Sequence, residues 1–334
     1  MLAKSITIIS LLFIASFTLK AQQDKNKTKY VVAQDGSGDF KTIQEAVNSV
    51  RDHMQTRFTI EVKAGTYFEK LVIPAWKKNI AIIGENKENT IISNADYSGK
   101  SFPNRDFTGN PKYSTYTSYT VMVQGSDCIL ENLTITNTAG TVGQAVALMI
   151  EADRFAAKNC SFLGNQDTLY TAKDGRCYFE SCLIVGTTDF IFGEATAVFS
   201  KCIIKSLSNS YITAASTTPM QAFGYVFFDC ELIAAPNVNK VYLGRPWRPY
   251  AKTVFIRCNL GGHIVPEGWN PWHGDALFPD KDKTAFYAEY KNIGPGAGTV
   301  RRVAWSKQLS NKQAKAYTKQ SILGNWTPIF YIHK

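Results

Sequence analysis

A short motif returns six times between residues 129 and 263: an apolar run, one small or polar residue, then another apolar pair. ILENLTITNT, FAAKNCSFLG, CYFESCLIVG, AVFSKCIIKS, YVFFDCELIA and VFIRCNLGGH align on it, with IEVKAGTY as an earlier variant. The equivalent positions are Asn132, Cys160, Cys182, Cys202, Cys230 and Cys258, at spacings of 28, 22, 20, 28 and 28. Repeats of this length, each carrying one strand with period-two alternation, predict a solenoid of stacked parallel strands, a β-helix, from residue 58 to about 262. Unequal spacing implies loops of different length on one side of the stack, where binding sites tend to lie.

The repeat also explains the cysteines. Seven Cys in an exported chain would first suggest disulfides plus one free thiol. Five of them, however, occupy one phase of the repeat, and same-phase residues on successive coils stack ~4.8 Å apart. An inward-facing Cys then serves as a small hydrophobe. The expectation is a ladder of mostly reduced, buried thiols.

Four polar islands interrupt the apolar stretch: Gln144 in QAVAL, Gln166-Asp167 in QDTLY, Asp189 in DFIFG and Arg245 in LGRPW. Gln144 to Gln166 is 22 residues, and Asp167 to Asp189 is 22 again. With a coil of about that length, two amides and two carboxylates converge on one patch. Either a lone Asp or a lone Gln in a β-helix turn reads as a backbone cap; all five in register read as equipment for ester chemistry. Like charges one coil apart raise one carboxyl's pKa, and a guanidinium fork can keep the other ionised.

The flanks are mixed. Residues 30–50 read as a strand, a Gly-containing turn and an amphipathic helix with Asp39 as N-cap. Residues 96–118 form a polar excursion set against a groove. SNKQAKAYTKQSIL reads as helical, with Ser310 as cap, and is expected to cover an exposed end of the stack. The first 21 residues have a basic, apolar, small-residue layout that predicts a signal peptide cleaved near Ala21. Residues 22–334 then form a single domain, secreted or periplasmic. A formal net charge of +10 favours an anionic partner. No basic run is long enough for a nucleic-acid arm, so an acidic polysaccharide fits better than nucleic acid or membrane; the bland reading is solvated surface charge.

GTYFE (65–69), QAVAL (144–148), QDTLY (166–170), DFIFG (189–193) and LGRPW (243–247) resemble, in order, the signature segments of pectin methylesterases. VVAQDGSGDFKTIQEAV resembles that family's opening segment and GAGT (296–299) its closing one, so the resemblance covers residues 30–330. It implies a right-handed parallel β-helix and a monomer acting on methyl-esterified homogalacturonan, with no metal and no cofactor. By resemblance Asp189 is the nucleophile paired with Arg245. Asp167 is the acid and then the base, and Gln144 and Gln166 are oxyanion donors. Trp247, Trp269, Tyr170 and Phe190 are candidate sugar platforms, each with core packing as the plain alternative. Thr115 falls where the family places a substrate-contacting Thr. Glu69 is expected to support a turn or strand end rather than catalysis. The lack of a plant-type inhibitory pro-region suggests a bacterial enzyme.

Other chemistries fit less well. The chain has no GxSxG elbow and no HExxH, and its four His are scattered. A chain-cleaving polygalacturonase also uses paired carboxylates, but leaves the two Gln and LGRPW without a task. A lyase would carry acidic calcium-ligand clusters, and the sequence offers none. A non-catalytic polysaccharide-binding solenoid would not need Asp167, Asp189 and Arg245 together.

Overall fold

The computed structural model describes residues 27–103 and 109–331; the leader expected at 1–21 lies outside them. The chain winds as a right-handed parallel β-helix with three sheets of eleven, eight and seven strands, and among the described residues the strands within them pair in parallel. One coil shows the pattern. Phe155–Lys158 joins the eleven-stranded sheet, Ser161–Leu163 the eight-stranded and Leu169–Thr171 the seven-stranded. The next coil repeats it with Arg176–Glu180, Leu183–Gly186 and Ile191–Gly193.

The corner between the first two sheets explains the repeat phase. Asn132, Asn159, Ser181, Lys201, Asp229 and Arg257 all take left-handed backbone conformations, with φ between 50° and 55°. Each is followed by one inward residue. Cys160, Cys182, Cys202, Cys230 and Cys258 occupy that inward place, all buried and all free thiols. Their Sγ atoms donate to backbone oxygens, in Cys202 to Phe179 O of the preceding coil at 3.6 Å. The alignment is corrected by one residue at its first member. Thr134 pairs with Ser161, so Leu133 stands in register with Cys160. Asn132 belongs instead to the corner column, where its Oδ1 accepts from Asn159 Nδ2 at 2.7 Å.

Beside the thiols runs a stack of rings. Phe179, Phe199, Phe227 and Phe255 follow one another at 4.8, 4.4 and 4.3 Å between centroids, nearly parallel. Parallel register places identical positions of successive coils face to face, and burial of such side chains supplies much of the fold's driving force.

Two expectations at the flanks are corrected. The N-cap of helix Ile43–Ser49 is Thr42, whose hydroxyl accepts from Glu45 N; Asp39 instead accepts from Val31 N at 2.8 Å. That helix, with Ile43, Ala46 and Val47 buried in the main core, covers the N-terminal end of the stack. Glu69 braces it: its two carboxylate oxygens accept from Ile43 N and Gln44 N, both at 2.9 Å. Ser310 does cap a helix, but the C-terminal segment forms two short helices, Asn311–Ala314 and Lys319–Leu323. Ile322 and Leu323 pack with Val198 and Val226 on the outer face of the eleven-stranded sheet, so they cover a flank, not an end. No helix among the described residues is long and apolar enough to cross a membrane.

Candidate active site

Several long connections, among them 138–147, 216–224, 235–241 and 247–251, border the seven-stranded sheet. On its outer face lies a cleft of about 250 Å³, lined by Thr115, Gln144, Gln166, Asp167, Asp189 and Arg245 together with Tyr116, Trp247 and Trp272. Gln144 and Gln166 face each other across an isolated parallel bridge. Asp167 and Asp189 each precede a strand of the seven-stranded sheet, in left-handed conformations with φ of 66° and 49°. Asp tolerates that region better than most residues. The amide of Asp167 donates to Thr188 O and that of Asp189 to Tyr211 O, so the coil spacing itself sets the two carboxyls one above the other.

Arg245 arrives from two coils further on, since Ala214 pairs with Phe192 below it and with Arg245 above it. Its Nε donates to Asp189 Oδ1 at 3.0 Å and its Nη2 to Oδ2 at 2.6 Å, a two-pronged ion pair that is largely buried. The guanidinium carbon sits 3.9 Å from the Tyr211 ring centre and 3.6 Å from that of Trp272. Gly244 lets the strand that carries Arg245 lie against its neighbour, because a Cβ there would lie 1.9 Å from Thr213 Oγ1. The two carboxyls are consequently different. Burial, reinforced by the negative charge of Asp189, pushes Asp167 up to about 8. Burial raises Asp189 as well, but the Arg245 fork opposes it. An ionised carboxylate held beside a protonated one, with two amides at the same opening, can attack a carbonyl, protonate a leaving group and receive an oxyanion.

The sequence profile described as Pectinesterase matches residues 29–325. The chain belongs to the pectinesterase family. Pectinesterase 3 of Solanum lycopersicum is 40% identical over 291 residues, which is 82% of this chain and 50% of the tomato protein. The chain spans about half the length of the curated relatives it matches. Among solved structures, pectin methylesterase from carrot superposes with a TM-score of 0.79 at 36% identity, covering 88% of this chain and 92% of that one. A pectin methylesterase in complex with a hexasaccharide superposes equally well, at 30% identity over 92% and 99% of the two chains.

In this pectinesterase-family chain the aromatic residues sort cleanly by face. Trp247 lines the cleft, and Tyr170 is half-buried beside it, stacked on Phe192 at 4.4 Å. Phe190 and Trp269 are corrected: both have no solvent exposure and lie in the core, so neither can meet a sugar chain. Phe190 sits in the turn that follows the left-handed Asp189, and there its ring folds inward. Trp269 continues the core stack, 4.6 Å from Tyr287 and 5.8 Å from Phe255. The aromatic residues the sequence reading passed over are Phe192, Tyr116, Tyr211 and Trp272. For Trp272 a signal existed, since EGWNPW holds two tryptophans; the nearer one packs inward and the further one reaches Arg245.

Proposed function

We propose that this chain is an exported pectin methylesterase that hydrolyses methyl esters of homogalacturonan to free carboxylates and methanol. The observation that carries the reading is the asymmetric pair, with Arg245 forked onto Asp189 and onto no other carboxylate of the cleft. In the first step an oxygen of ionised Asp189 bonds to the ester carbonyl carbon, and the carbonyl oxygen becomes an oxyanion. In this reading the side-chain amides of Gln144 and Gln166, both lining the cleft, donate to it. Collapse breaks the bond to the methoxy oxygen, which takes the proton of Asp167 and leaves as methanol. Asp167, now ionised, removes a proton from water, whose oxygen attacks the acyl-enzyme anhydride. Its collapse frees the galacturonate acid and returns Asp189 as carboxylate.

Thr115, Trp247 and half-buried Tyr170 are the proposed sugar contacts, of which Thr115 and Trp247 line the cleft directly. The solved relative that holds a hexasaccharide supports an oligosaccharide ligand for this fold. The test is methanol release from highly methylated pectin by residues 22–334 and by Asp189→Asn in parallel. Methanol from the parent, none from the variant and no new reducing ends are expected. Reducing ends without methanol would reject the esterase and favour chain cleavage.

A further inference from the structure

The chemistry above uses Asp189 and Arg245 and leaves a buried cation behind them unassigned. Lys281 opens the short helix Lys281–Thr284, and its side chain has no solvent exposure. A buried ammonium is costly unless its charge is compensated. Here Nζ lies 2.7 Å from Asp275 Oδ2, 3.5 Å from the carbonyl oxygen of Trp247 and 4.4 Å from the centre of the Trp272 ring. That same ring is the one set 3.6 Å from the guanidinium carbon of Arg245. The contacts therefore form one continuous series: Asp275, Lys281, Trp272, Arg245 and Asp189, with Tyr211 also against the guanidinium.

A methionine or leucine would fill this volume without the charge. What the ammonium adds is a cation–π contact in a desolvated place, where such contacts are strongest, and a second positive charge in the field at Asp189. The charged groups facing Asp189 are Arg245, forked on it, Asp167 from the preceding coil, and Lys281. Lys281 in turn faces Asp275, Arg245 and Arg248.

We infer that Lys281 is a positioning residue: clamped by Asp275, it fixes the Trp272 ring against Arg245 and so holds the Arg245 fork on Asp189. The inference rests on the reading of Asp189 as nucleophile, and the experiment separates the two.

Lys281→Met keeps the chain length and removes the charge. The carboxyl of Asp189 is titrated by carbon-13 NMR, its signal assigned by loss in Asp189→Asn, while methanol release is followed on the same samples. The expected result is an Asp189 midpoint raised by about half a pH unit or more, with kcat down about tenfold and KM changed less. Trp272→Leu removes the ring that links Lys281 to Arg245 and changes no charge, so the midpoint is again expected to rise; this variant also decides the matter if Lys281→Met does not fold. A midpoint that stays at the parent value in either folded variant, whatever happens to the melting temperature, overturns the inference. The titration reads Lys281 whether or not methanol appears, and methanol from the parent protein reads the esterase.

Discussion

Asp167 and Asp189 have the same side chain, the same left-handed backbone and adjacent coils, yet only one of them meets a cation. Arg245 opposes the burial of Asp189, while Asp167 has burial and its neighbour's charge acting in the same direction. The consequence is measurable. If protonated Asp167 is the acid, kcat/KM falls on the alkaline side with a midpoint near 8. Stability follows with a definite sign. Between the ordinary 3.8 and about 8 the folded protein holds this proton and the unfolded chain does not, so Asp167's contribution is lost as pH rises through that window. Asp167→Asn, which cannot ionise, is therefore expected to melt above the parent at pH 9, with the margin shrinking toward pH 5. Equal melting curves at pH 9 would show that Asp167 ionises there without penalty and is not the acid.

At the scale of the element, the coil corner does more than turn the chain. One left-handed residue per coil resets the alternation, so the following residue always faces inward, and stacking in register makes that position a column. A Cys is small enough for the column, and its thiol can donate to the backbone of the coil before it, which valine cannot. All seven thiols are buried, and burial holds that of Cys177 well above the usual thiol range. The folded protein is expected to show no fast reaction with a thiol reagent, and the denatured protein to titrate seven thiols without prior reduction. Fewer than seven would mean that neighbouring rungs are joined. The outer columns serve the cleft in the same way: Tyr170, Phe192, Ala214 and Arg245 follow one another in strict register on the seven-stranded sheet. A small Ala between Phe192 and Arg245 leaves the cleft open at that level.

Over the whole molecule, the long connections gather beside one sheet, so a regular scaffold carries an irregular groove on a single face. The excess of 37 basic over 27 acidic residues gives the surface a field suited to a polyanion. Salt screens such a field over ~10 Å at 0.1 M. Added NaCl is therefore expected to raise the apparent KM for sparsely methylated, strongly anionic pectin more than for highly methylated pectin. An identical salt response for both polymers would assign the charge to solvated surface alone.

The linear sequence by itself determined the coil, because inward and outward positions are fixed by a local turn and a period of two. It also determined the meeting of Gln144, Gln166, Asp167 and Asp189, whose spacing equals one coil. Both rest on distances measured along the chain, which register converts directly into distances in space. Tertiary structure alone decided which aromatic residues face the groove. Phe190 and Trp269 read like their neighbours Phe192 and Trp272, and only the turn geometry and the packing of the next coil send one of each pair inward. It also decided that the C-terminal helices cover a flank and that Lys281 lies buried behind Trp272, since the loop that carries Lys281 has no repeat register to place it.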